Sequence, residues 1–263
     1  MDHELLRKPR DQIRYPDHRE LLNITTQLRQ SGQNELALEG QIRVALALER
    51  SRVPYREKAL QWEGAALLAE ELALPRSKFL TNAAEHLASD GAPLKAASLF
   101  AKAYECASNE DIQFENKIAL LRGARTNYEA AGYSEEAVKH FIEEKDLYLA
   151  ISPWYEKVWM LAFRFVSLYG ESPIRVVLAS GIVIVGCALV YTFLGLSVDG
   201  STVAPVHFLS SLYFSVVTFT TLGYGDYAPP SGLGRAVAAM EAMTGLFLMS
   251  LFLVTLVRKF GRS

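Results

Sequence analysis

The sequence predicts an all-α chain in two parts. A polar helical region, read as an α-solenoid or a helical bundle, is followed by a membrane region of two spanning helices around a short re-entrant helix and loop. Three observations predict it. Charge is concentrated in the first part: Met1 to Ser172 hold 22 Lys+Arg and 26 Asp+Glu, whereas Pro173 to Ser263 hold only 5 and 3. The second stretch contains apolar runs of 21 and 22 residues, the length a helix needs to cross about 30 Å of hydrocarbon. The first stretch is rich in Ala, Leu, Glu and Lys, is broken by turn residues and lacks strand-like alternation, which is the pattern of amphipathic helices.

Residues 1–150 form the helical region. Turn signals stand at Gly32, Leu74-Pro75, Gly91-Ala92-Pro93, Ser108-Asn109 and Gly132, and short loops between amphipathic helices imply antiparallel hairpins. Three segments, SGQNELALEGQ, DGAPLKAASLFAKA and AGYSEEAVKHF, place a Gly at a turn and an Ala five residues on: Gly32 and Ala37, Gly91 and Ala96, Gly132 and Ala137. Phe100 and Phe141 follow at plus nine in the second and third, while Gln41 takes that place in the first. The pattern resembles the turn and second helix of tetratricopeptide repeats, where small residues let helices approach and an aromatic fills the gap. The spacings of 59 and 41 residues depart from that family's usual period of about 34. An irregular solenoid is therefore expected, with a plain helical bundle as the alternative. Such a surface suits a protein or peptide partner, and a role in guiding subunit assembly fits the same sequence.

Residues 151–173 link the two parts. SPWYEKVWMLAFRFVSLYGESP, Ser152 to Pro173, is amphipathic, and Trp154, Tyr155, Trp159, Phe163, Phe165 and Tyr169 are residue types suited to a membrane interface. An interfacial helix broken at Gly170 to Pro173 is expected, the alternative being a last, buried helix of the solenoid.

The membrane region occupies residues 174–263. Its first helix is expected over 176–196, an uncharged apolar run, and its second over 236–257, where Glu241 is the one acid. Between them the apolar stretch 206–218 is too short to span and reads as a re-entrant helix. Non-helical backbone at membrane depth must be buried in protein or line a water-filled path, so the loop after it implies a pore or a cavity. Arg175 precedes the first helix and Arg258, Lys259 and Arg262 follow the second, while Asp199 and Asp226 lie between them with Arg235. The positive-inside rule then places both termini in the cytoplasm of a multi-pass protein of the cell membrane, with the loop entering from outside.

The loop reads FTTLGYGDYAPP, Phe219 to Pro230. Passing a small cation through hydrocarbon requires oxygens in place of its hydration shell, and a row of backbone carbonyls supplies them without fixed charge. Successive carbonyls face one axis only when the backbone alternates between ordinary and left-handed dihedrals. Glycine reaches the latter at no steric cost, and Gly223 and Gly225 stand where alternation would demand them. The letters G-x-G-x-x-A of Gly223, Gly225 and Ala228 also fit a dinucleotide fingerprint, but that motif must open a helix, and Pro229 and Pro230 come next.

TTLGYGD, Thr220 to Asp226, resembles the signature of potassium channels, and helix, short helix, loop, helix is the order of the two-transmembrane-helix prokaryotic pores. The resemblance covers Arg175 to about Lys259. It implies a filter of Thr221, Leu222, Gly223, Tyr224 and Gly225, with potassium ions held by carbonyls of Thr221 to Tyr224 and by the Thr221 hydroxyl. Asp226 would sit at the outer mouth and Gly245 at the inner-helix gating hinge. Leu222 stands where the family usually has Val or Ile, and Val217 where some relatives carry an acid that braces the filter. Glu241, an acid inside a span, is read either as hydrogen-bonded behind the filter or as a gating or proton-sensing group. A ring of carbonyls needs four copies of the loop, so a homotetramer in membrane lipid is expected.

Other classes find no support. The chain lacks the clustered positive charge of a nucleic-acid binder. Its five histidines (His3, His18, His86, His140 and His207) show no metal-ligand spacing, Cys106 and Cys187 form no CxxC pair, and no catalytic constellation or organic cofactor site emerges. An enzyme is thus not expected. The alternative to a channel is a membrane-anchored interaction protein whose helical region recruits a partner.

Overall fold

The computed structural model describes residues 4–13, 17–198, 201–203 and 206–261. The chain divides into two compact units, Met1–Ile151 and Ser152–Ser263.

In the first unit a single turn, α1 (Glu4–Arg7), precedes α2 (His18–Gln30), α3 (Asn34–Glu49), α4 (Tyr55–Glu71), α5 (Ser77–Ser89), α6 (Pro93–Asn109), α7 (Phe114–Ala130) and α8 (Ser134–Ile151). The hairpins α2/α3, α5/α6 and α7/α8 turn at Gly32, Gly91 and Gly132, whose φ values of 76°, 75° and 81° are left-handed, the conformation that ends a helix most cheaply at glycine. Ala37, Ala96 and Ala137 are buried. The unequal spacing of these glycines has a structural cause: α4 is an additional helix between the first two hairpins. Its turn into α5 contains no glycine, and Ala73 takes the left-handed place there with φ 54°.

Packing explains the positions nine residues after each glycine. Phe100 is buried against Leu120 and Ala124, and a Cβ on Gly123 would lie 2.9 Å from its ring. Gln41, nearly buried, instead bonds across to α4, its amide donating to Gln61 Oε1 at 2.8 Å. Phe141 is only partly buried, flanked by Arg125 and Lys145 at 5.5 and 5.4 Å from the ring centre. Trp62 of α4 joins Leu28, Ala45 and Leu68 in the unit's largest core cluster, and its Nε1 donates to Glu49 Oε1 at 2.8 Å.

The second unit contains α9 (Trp154–Ser167), α10 (Pro173–Leu194), a hairpin of β1 (Leu196–Val198) and β2 (Ser201–Val203), α11 (Phe208–Phe219) and α12 (Gly232–Phe260). The short antiparallel hairpin, with Leu196 opposite Val203, is an addition to the expected helices. Helix α9 ends at Ser167 rather than at Gly170, because Leu168, Tyr169 and Gly170 take φ of 51°, 58° and 86° in succession. The Ser167 side chain accepts from the Gly170 N–H at 3.0 Å and its carbonyl from Ser172 at 2.9 Å, closing the elbow.

Helices α10 and α12 are long and apolar enough to cross a membrane. Both begin earlier than their apolar runs suggest. Pro173 occupies the first turn of α10, where its missing N–H costs nothing, and Ser231 caps α12 by accepting from Gly234 N–H at 3.0 Å. Charged Arg258 and Lys259 extend α12 past the apolar run to Phe260.

Candidate functional site

The site forms where α11 ends. With 12 residues, α11 reaches about 18 Å, too short to cross. At its end the Leu222 N–H donates to the Val217 carbonyl and the Thr221 N–H to the Thr218 carbonyl, both at 3.0 Å. This pair of bonds is the Schellman closure of a helix, which requires a left-handed residue next, normally glycine. Here that residue is Thr221, with φ 58°. A β-branched residue in that region is strained by about 1–2 kcal/mol, and its hydroxyl is the group glycine would lack.

Left-handed dihedrals recur at Gly223 (57°) and Gly225 (80°). From 221 to 225 every second residue therefore reverses hand. No atom outside their own chain neighbours lies within 4 Å of where a Cβ on Gly223 or Gly225 would stand, so backbone conformation, not crowding, demands glycine there. Leu222 and Tyr224 are 59% and 68% exposed, and Asp226 is exposed as well. After the loop, Tyr227 packs edge-on against Tyr213 of α11 at 5.9 Å. Ala228 pairs with Ser197 through two backbone hydrogen bonds of 2.7 and 3.0 Å, tying the loop's exit to β1.

Behind the loop lies a buried polar group that the three helices share. Tyr191 of α10 donates to Glu241 Oε2 at 2.7 Å, and Ser215 of α11 lies against Glu241 Oε1. The Ser215 hydroxyl is also 2.8 Å from the Ile184 carbonyl oxygen of α10. Tyr191 and Ser215 are fully buried and Glu241 is 2% exposed. Sequence reasoning singled out Glu241 but neither of its partners. The available signal was that a buried acid needs hydrogen-bonding partners, and that Tyr191 and Ser215 are polar residues inside apolar runs.

Gly245 lies one turn further along α12, which continues unbroken through it. A Cβ at this position would overlap the Phe219 carbonyl oxygen and stand 2.9 Å from its carbon. Glycine is thus what lets α12 touch the backbone at the end of α11. Val217 is buried and apolar. Among the described residues, no group of three or more His, Cys, Asp or Glu could hold a metal ion.

The match to a family model falls within this unit. Residues 177–262 match the family model described as "Ion channel". A protein of Methanocaldococcus jannaschii named a probable potassium channel protein is 37% identical over 60 residues, which is 23% of this chain and 17% of that protein. A calcium-gated potassium channel of Thermoplasma volcanium is 36% identical over 50 residues, 19% of this chain and 14% of its own length. A potassium channel of Plasmodium berghei is 31% identical over 71 residues, 24% of this chain and 4% of its own length. The chain thus spans less than a fifth of the length of these relatives. No solved structure matches it significantly.

Proposed function

We propose that the chain is one subunit of a homotetrameric potassium channel of the cell membrane, passing potassium passively through the backbone of Thr221 to Gly225. One observation carries this reading: backbone hand alternates at 221, 223 and 225, directly after a short apolar helix set between two helices long enough to span. Alternation turns successive carbonyls toward one side, where they replace a cation's water. The carbonyls of Thr221, Leu222, Gly223 and Tyr224 form the ion sites, the Thr221 hydroxyl adds an oxygen at the inner end, and Asp226 stands at the outer mouth. The C-terminal end of α11 runs into this loop, and its partial negative charge favours a cation there.

One loop covers one side of an ion, so four copies around an axis complete the cage. The exposure of Leu222 and Tyr224 on a single chain supports this, since lipid does not tolerate non-helical backbone and neighbouring subunits must cover it. Both termini face the cytoplasm, a reading supported by Arg175 at the start of α10 and Arg258 and Lys259 at the end of α12. Opening is a bending or splaying of α12 about Gly245. Residues 1–150 act as a tetratricopeptide-like domain that assembles or regulates the pore, 151–173 as the interfacial linker and 174–263 as the pore. A groove of about 590 Å³ beside Trp62, Phe79 and His86 offers a partner a place to dock.

Reconstitution into potassium-loaded liposomes tests the proposal. A stable tetramer that releases potassium and not sodium is expected. A stable, folded oligomer without potassium-selective flux would leave the membrane-anchored interaction protein in its place.

A further inference from the structure

We propose that Glu241 is a positioning residue for the filter, acting from α12 through Ser215 and as a neutral carboxylic acid. This rests on the channel reading above. A proton count carries the second half. A hydroxyl owns one proton, and a backbone carbonyl only accepts. Ser215 Oγ faces two acceptors, the Ile184 carbonyl oxygen at 2.8 Å and Glu241 Oε1. Both contacts are hydrogen bonds at once only if Ser215 donates to Ile184 and the other proton comes from the acid. A protonated Glu241 donates to Ser215 through Oε1 and accepts from Tyr191 through Oε2, so both Ser215 contacts and the Tyr191 contact are satisfied. An ionised Glu241 leaves one Ser215 contact without a proton and places a full charge among apolar helices, with only the Tyr191 hydroxyl and the neighbouring Cys187 thiol of α10 beside it.

The first half follows from how short the path to the filter is. Ser215 lies two residues before Val217, whose carbonyl accepts from the Leu222 N–H at 3.0 Å and from the Gly223 N–H at 3.4 Å. A shift of α11 relative to α12 therefore moves the first filter residues with it. Phe214, beside Ser215, meets the Tyr191 ring edge-on at 4.9 Å, so α10 grips the same turn. One turn beyond Glu241, Gly245 abuts Phe219. Two contacts on one face of α12 thus hold both the middle and the end of α11. Helix α11 has no acid of its own, and Val217 is apolar, which leaves the brace to the inner helix.

The test compares wild type with E241Q, E241A, S215A and Y191F, all as full chains in liposomes, reading the potassium-to-sodium permeability ratio of preparations that remain tetrameric. E241Q should keep the wild-type ratio, because its amide donates to Ser215 and its carbonyl accepts from Tyr191. E241A and S215A should lower the ratio by about tenfold, the weight of one buried hydrogen bond, and Y191F should lower it in the same direction. Wild-type selectivity in E241A and S215A overturns the positioning role. An E241Q as impaired as E241A overturns the neutral acid, since it shows that a carboxylate is needed. If E241A does not fold, S215A and E241Q decide the same two points. A wild type without potassium selectivity overturns the channel reading and this inference with it, whereas a selective wild type with indifferent variants overturns this inference alone.

Discussion

Replacing Gly245 with Ala separates two roles of one residue by the sign of the effect. In a helix interior that only bends, Ala is preferred to Gly by about 1 kcal/mol, so the substitution would stabilise. The structure puts the new Cβ over the Phe219 carbonyl oxygen, 2.9 Å from its carbon and 3.2 Å from its Cα. Carbon atoms rest at about 3.5–4 Å, and the carbonyl oxygen lies nearer to the new Cβ than either carbon, so α12 must withdraw from α11 by about 1 Å. The obstructing atoms are backbone and cannot rotate away. Overpacking at such a site costs up to about 3 kcal/mol, which leaves a net loss of about 2 kcal/mol after the helix-propensity gain. Thermal unfolding of the detergent-purified protein should show G245A melting below wild type. Gly186→Ala, at a place with nothing within 4 Å of the new Cβ, serves as control and should melt at or above wild type. A G245A that melts as high as wild type would refute the contact with Phe219.

Thr221→Gly relieves the strained left-handed threonine and should raise thermal stability by about 1 kcal/mol, while potassium flux falls because the hydroxyl is gone; flux at the wild-type level would refute a role for that oxygen. Gly223→Ala forces a side chain into φ 57° and should abolish potassium-selective flux with membrane insertion retained, as measured by liposome flux and flotation. In the first unit, burial alone would raise the Glu49 pKa, but hydrogen bonds from Trp62 and His86, with the charges of His86 and Lys58, outweigh it and hold the group below the usual carboxylate range. A depressed folded pKa adds stability above the unfolded value of about 4.3 and loses it as pH falls through the folded one. Melting curves of Glu49→Gln should therefore fall less steeply than wild type below about pH 4.3, and equal slopes would remove Glu49 from the acid response.

What the sequence disclosed follows from which residues have a single physical reason to be where they are. Gly223 and Gly225 were legible because left-handed backbone has few other tenants. Thr221 was not, since a β-branched residue predicts extended backbone, and its hand is imposed by the closure of α11 on Val217 and Thr218. Glu241 stood out as an acid in an apolar span. Its partners lie 50 and 26 residues away, and composition does not say which turns of three helices face one another. The glycines of three hairpins marked turns in the first unit, yet α4 stayed hidden as the cause of the uneven spacing because its exit turn uses Ala73. Helix ends were misjudged where caps and charged residues, not hydropathy, set them, as at Ser231 and Lys259.

The reversal potential of the wild-type protein in a planar bilayer, with potassium on one side and sodium on the other, tests the filter most directly. Four Thr221–Gly225 loops around one axis predict a current that reverses near the potassium equilibrium potential. A current that does not distinguish potassium from sodium, or none from a folded and inserted tetramer, would contradict it.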